Sequence, residues 1–185
     1  MPTPAERFAT YEDLCRVPAH LVAQIIRGKL ITLPRPAPRH ARASSSLGGS
    51  LFPPMDAGSG GPGGWWILFE PELHLEADIL VPELAGWRRE RMPALPETPY
   101  FDLAPDWVCE ILSPATAQMD RVDKLPIYAL QGVGHVWLVD PDAQTLEVLA
   151  LHEGHWRLEC AFKAAEEVCA PPFEAVRFGL AGLWP

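Results

Sequence analysis

The sequence has no pairing pattern for its cysteines. Cys15, Cys109, Cys160 and Cys169 form no C-x-x-C pair and no zinc-ligand spacing, which excludes a zinc ribbon and supplies no disulfide framework. They read as reduced thiols packed as small apolar groups. No basic stretch followed by an apolar core opens the chain, so no signal peptide is expected. No run approaches the roughly 18 apolar residues that span a bilayer. The expected compartment is therefore the cytoplasm, with no membrane partner. Positive charge is also short, since 15 Lys and Arg against 24 Asp and Glu leave a net charge of −9. That balance opposes non-specific binding to backbone phosphates, although it permits a local basic groove. The glycine-rich stretch 58–64 lacks the strand-then-lysine context of a phosphate loop, and no internal repeat is present.

What is there is enough for a sizeable core. The chain has 185 residues, 48% of them apolar and 21% charged, and is expected to form one domain over residues 1–185. Its 21 prolines predict many fixed turns. Residues 1–9 read as a loose arm. Thr10 can cap a short helix over 11–16, with Glu12 and Asp13 in its first turn. Residues 21–26 and 30–33 flank Arg27-Gly28-Lys29 as a hairpin. Ala43, Leu47 and Leu51 make a weak helical stripe that Pro53-Pro54 is expected to end. Residues 65–75 alternate apolar and polar and predict a strand, continuing after a bend at Pro71 into 78–81, with one acidic face. Residues 82–103, rich in proline and arginine, predict a long surface excursion. Beyond Pro141, residues 145–151 and 155–162 predict a second hairpin.

The informative stretch is 105–141. An apolar run, Trp107-Val108-Cys109, leads into Glu110 and Ile111-Leu112; a helical segment carries Asp120, Lys124 and Tyr128 at four-residue spacing; a second apolar run, 135–139, ends at Asp140-Pro141. Strand, helix and strand of these lengths predict a crossover unit. A carboxylate and a lysine inside such a unit point to chemistry. If Asp78 and Glu110 sit on neighbouring strands, burying both is unfavourable unless a cation balances them. Mg²⁺, or Mn²⁺, held by one or two carboxylates with water, suits that role, and the Ile111 carbonyl is a further ligand candidate. Lys124 would place a positive charge beside it. Pro126 allows two arrangements: a helix that starts at Lys124 after an Asp123 cap, or a helix interrupted near Pro126. Competing plain readings are a surface ion pair for Asp120–Lys124, a surface histidine for His40, a solvated His74 and a core Tyr128.

These residues resemble a bacterial family, the Uma-type restriction endonucleases, within the PD-(D/E)XK nuclease superfamily. The resemblance runs through 27–30, 36–40, Asp78 and its apolar followers, 105–116, Asp120, Lys124, and 128–141. It implies an α/β (α+β) fold with a restriction-endonuclease-like core: a mixed central β-sheet flanked by helices, with extra β-hairpins. It implies that Asp78 and Glu110 are the acidic metal ligands. It makes Lys124 the superfamily lysine, moved from the strand to the next helix, and turns His40 toward the site. Glu70 is a further acidic candidate, and Tyr128 an additional one. Ala77 stands where the superfamily name has proline, and Pro82-Glu83 offers a second register in which Glu83 replaces Asp78.

The function implied is Mg²⁺-dependent hydrolysis of nucleic acid, DNA first. Arg35, Arg39, Arg42, Arg88, Arg89 and Arg91 are the candidates for holding the backbone. Duplex cutting with one site per chain would favour a homodimer, the late hairpin being its candidate interface. A catalytically silent nuclease-fold module and a hydrolase of small phosphodiesters are the alternatives.

Overall fold

The structure, a computed structural model, describes residues 7–185; most of the arm expected at 1–9 lies outside them. Helix α1 (Tyr11–Cys15) begins with a reciprocal cap. The Asp13 amide donates to the Thr10 hydroxyl, and the Thr10 amide donates to the Asp13 carboxylate. Strands β1 (Leu21–Ile26) and β2 (Lys29–Pro34) pair antiparallel around Arg27-Gly28, whose φ values of 50° and 75° make a two-residue turn that matches strand twist. Helix α2 (Pro38–Leu51) buries the stripe of Ala43, Leu47 and Leu51. Pro53-Pro54 does not end the helical path. The chain continues as a wider turn over Phe52–Asp56, closed by the Ala57 amide on the Phe52 carbonyl. This longer loop of hydrogen bonding tolerates prolines that have no amide to donate.

Strands β3 (Trp65–Phe69) and β4 (Leu73–Leu75) are not one bent strand. Glu70 takes a left-handed φ of 45° between them, and they enter different sheets. Strand β5 (Asp78–Leu80) pairs with β4 and β1, giving a four-stranded sheet in the order β2-β1-β5-β4.

The largest departure from expectation is strand β6 (Leu84–Arg88), which occupies part of the supposed surface excursion. Leu84, Ala85, Gly86 and Trp87 are all buried. The crossover unit forms as expected from β7 (Trp107–Ile111), helices α3 (Ala117–Met119) and α4 (Leu125–Leu130), and β8 (His135–Asp140), with β7 and β8 parallel. Strands β9 (Thr145–His152) and β10 (His155–Lys163) form the late hairpin. The second sheet is six-stranded and mixed, in the order β10-β9-β8-β7-β6-β3.

Side chains alternate across this sheet. Trp107, Cys109 and Ile111 pack with α2 and with a C-terminal group around Phe173 and Leu180. Trp65, Trp107 and Trp137 each meet Phe173 edge-to-face at 4.9–5.6 Å. Val108, Ala85, Trp87, Ile127 and Tyr128 pack on the opposite face, against α4 and the four-stranded sheet. Glu110 shares the parity of Val108 and points to that second face, between the sheets. The expected class, a mixed sheet flanked by helices with added hairpins, describes the molecule.

Candidate active site

Backbone register brings the acidic groups together. Strands β6 and β7 pair Ala85 with Val108 and Leu84 with Cys109. One step further along this antiparallel ladder, Glu83 stands opposite Glu110, on the same face. The Glu83 carboxylate accepts from the Ile111 amide at 3.0 Å and lies 3.0 Å from His40 Nε2. The Glu83 and Glu110 carboxyls are in hydrogen-bonding contact, so a proton can bridge them.

Lys124 enters from the helix. α3 passes into a wider helical turn, Asp120–Lys124, before α4, with the Leu125 amide bonded to the Asp120 carbonyl. Pro126 therefore falls in the first turn of α4, where its missing amide is tolerated. Neither the expected restart at Lys124 nor a break is found. The widened turn carries the path through and points Asp120 and Lys124 inward. The Lys124 ammonium lies 3.0 Å from Glu110 Oε2 and 3.0 Å from Asp120 Oδ1, and its side chain is 3% exposed. Tyr128, one turn on, donates to Glu110 Oε1 at 2.6 Å. Glu110 is fully buried beneath the site. His40, Glu83, Asp120 and Lys124 line the floor of an open cleft of about 410 Å³, with Glu70 and Arg35 at its rim.

Electrostatics follow from this packing. Burial pushes the Glu110 carboxyl well above the ordinary range, although Lys124 pulls the other way. Asp120 is raised for the same reason. Burial would raise Glu83 too, but the His40 hydrogen bond and the Lys124 charge overcome it and hold Glu83 at about 2. Lys124 is desolvated, yet Glu110, Asp120 and Glu83 keep its ammonium charged. Burial alone would lower His40, but the Glu83 hydrogen bond and charge, together with the Ile111 carbonyl and the Asp120 charge, outweigh it and raise the ring.

These shifts set a pH dependence for the metal-free protein. The folded His40 value lies above its ordinary 6.5. Its contribution to stability is thus complete below that pH and is lost as pH rises through the folded value. Glu110 and Asp120 are raised and act with the same sign over their own range. Glu83, lowered from 4.5 to about 2, contributes fully above 4.5 and loses its contribution as pH falls toward 2. Thermal melts are expected to show stability falling as pH rises above about 6.5, with a shallower fall in His40→Gln.

A profile of the family described as "Uma2: Putative restriction endonuclease" matches residues 8–181. The chain belongs to the Uma2 family. Its fold is also that of a crystal structure described as a putative nuclease belonging to DUF820 from Anabaena variabilis ATCC 29413. The TM-score is 0.71 and the identity 22%, over 95% of this chain and 97% of that one. At that identity the likeness establishes the fold. No curated protein matches the chain.

Within this Uma2 chain the expected site residues divide. Glu110, Lys124, His40 and Tyr128 converge, and Ile111 takes part through its amide. The Ile111 carbonyl lies beside the His40 ring. Asp78 does not join them. It stands in the other sheet, opposite Leu75, and its carboxylate accepts from the Arg27 amide at 2.5 Å, bracing the β1–β2 turn. Glu83 occupies the place expected of Asp78, because β6 rather than β5 is the neighbour of β7.

Asp120, for which spacing alone also allowed a surface ion pair, is buried in the cluster. Glu70 pairs with Arg35 at 3.5 Å. The arginines are dispersed. Arg88 is the last residue of β6, about 16 Å along the strand from Glu83, and Arg89 and Arg91 follow it. There Arg88 sits over Trp65, Arg89 binds Asp56, and Arg91 binds Asp106. Arg42 donates to the Gly182 carbonyl, and Arg39 lies 3.8 Å from Asp142.

The donor set suits a hard divalent cation. Glu83, Glu110 and Asp120 offer only oxygen, the donor type such a cation takes. Among the described residues, no three His, Cys, Asp or Glu side chains form a ready metal cage. The arrangement fits a cation held by one or two carboxylates and water.

Proposed function

We propose that this Uma2 protein is a Mg²⁺- or Mn²⁺-dependent nuclease that hydrolyses phosphodiester bonds of DNA. The observation that carries the reading is the grouping of Glu83, Glu110 and Lys124 at one end of the β6–β7 ladder, with Glu83 and Lys124 lining the cleft and Glu110 buried beneath them against Lys124. Glu83 and Glu110 would hold the cation, which when bound neutralises charge growing on the phosphoryl oxygens. The chain's own groups do the rest. His40 fixes the orientation of Glu83, and Tyr128 fixes that of Glu110. Lys124 stays charged, so it serves as a hydrogen-bond donor to the phosphate or the attacking water rather than as a base. Water attacks phosphorus as the bond to one ester oxygen breaks. The water's proton passes to Asp120, whose proton affinity burial raises, and the leaving oxygen takes a proton from solvent.

Two features favour a silent nuclease-fold module instead: Glu110 already accepts from both Lys124 and Tyr128, and the net charge is −9. Metal titration separates the two. Calorimetry with Mn²⁺ is expected to show one site in the wild type, weakened about 10–100-fold in His40→Ala through the lost support of Glu83. Equal, negligible heats for wild type and Glu83→Gln would sink the nuclease reading.

A further inference from the structure

The cleft above the Glu83–Lys124 floor is walled unlike a groove for duplex DNA. Val22, Leu33 and Pro36 form one side, and Pro114-Ala115 the other. Among the described residues, the lining holds Lys124, His40, which faces Glu83, and one arginine, Arg35, already engaged by Glu70 at 3.5 Å and the Ala19 carbonyl at 3.0 Å. Arg88, Arg89 and Arg91 are at the other end of β6. A protein that grips a duplex typically neutralises about 6–10 phosphates, and this rim offers no such row. Apolar walls suit the face of a base, as stacking surfaces do in strand-binding proteins.

Gln24 adds a polar group with a fixed direction. Its residue is 1% exposed and lines the cleft. Its Oε1 accepts from the Val81 amide at 2.9 Å, which settles which end of the side-chain amide is oxygen. The amide nitrogen is left as a donor that no other described residue engages. A donor of this kind, on a residue that lines an apolar slot, matches a carbonyl on a base edge.

We propose that the cleft takes one unpaired nucleotide of a DNA strand, its base between the Val22–Leu33 wall and Pro114, with a base carbonyl accepting from Gln24 Nε2 and its phosphodiester over Lys124. The substrate is then single-stranded DNA, or unpaired regions within a duplex. Gln24 is a specificity-determining residue. This rests on the nuclease reading and adds the substrate class.

The test compares one labelled oligonucleotide as a single strand, as a duplex, and with its bases removed around the cleavage position, in Mn²⁺. The single strand is expected to be cut at least about tenfold faster than the duplex, with a shallow dependence on salt between about 50 and 200 mM. Gln24→Met should lower kcat/KM on the base-bearing strand about 5- to 100-fold, the range of a base-edge contact, and leave the abasic strand unchanged. Faster cutting of duplex, equal loss on both strands, or equally good cutting of a dinucleotide would overturn the assignment. If no strand is cut at all, the nuclease reading fails separately. The cleft's preference is then read from fluorescence anisotropy, and equal binding of single strand and duplex would overturn it too.

Discussion

Glu83→Gln is expected to reduce metal-dependent DNA cleavage by at least about 10²–10³-fold, the scale on which loss of one charge-stabilising group acts, while Asp78→Asn stays close to wild type. Both substitutions keep shape and remove one negative charge, so their difference isolates position. Glu83 lines the cleft and contacts the Ile111 amide, His40 and Glu110. Asp78 holds the Arg27 amide in the four-stranded sheet, and its loss should appear as lower stability of the β1–β2 hairpin. Initial rates at saturating Mg²⁺, with urea unfolding of both variants, make the comparison. An inactive Asp78→Asn that remains folded would show that the acid pair has been placed on the wrong strand.

Lys124→Met carries the second large effect, on activity and on stability together. The ammonium is the only permanent charge between Glu110 and Asp120, and both carboxyls are buried. Removing one partner of a buried pair leaves the other uncompensated, at a cost of about 3–5 kcal/mol. In the metal-free protein the loss should be largest near neutral pH and should shrink in acid, where the raised Glu110 and Asp120 carboxyls accept protons. The double variant Lys124→Met with Glu110→Gln should recover part of the stability, because one of the two stranded carboxylates is gone while Asp120 remains, and none of the activity. Urea midpoints across pH and single-turnover cleavage provide the readouts. If the single variant unfolds at the wild-type midpoint at neutral pH, Lys124 is not held by the contacts described.

The parts of the site that could be read from the sequence were those built within one local unit. Glu110, Lys124 and Tyr128 belong to a single crossover, whose strand-helix-strand order limits where they can lie. The pairing of Glu83 with Glu110 instead depends on which strand neighbours β7. Leu84-Ala85-Gly86-Trp87 is short and buried on both faces, so it shows no period-two alternation, and the prolines and arginines around it look like a loop. The signal available was Pro82-Glu83 leading straight into that run. Asp78 looked better because it follows a strongly alternating strand, but alternation marks a half-exposed strand, not a catalytic one. Asp120 stayed open between a surface pair and the site, because four-residue spacing identifies a shared helix face without saying whether that face is buried. Gln24 gave no signal, since its role depends on the Val81 amide, distant in the chain.

Local chemistry was therefore sufficient for the Thr10–Asp13 cap, the Arg27-Gly28 turn, the crossover and the helical stripe of α2, because each rests on contacts a few residues apart. Tertiary structure alone decided that β3 and β4 part into two sheets, that β6 is central, that Glu83 and not Asp78 meets Glu110, and that a widened turn carries Lys124 past Pro126 into the cluster. Those outcomes depend on strand register and on packing between distant segments. Nothing in the spacing of neighbouring residues encodes either.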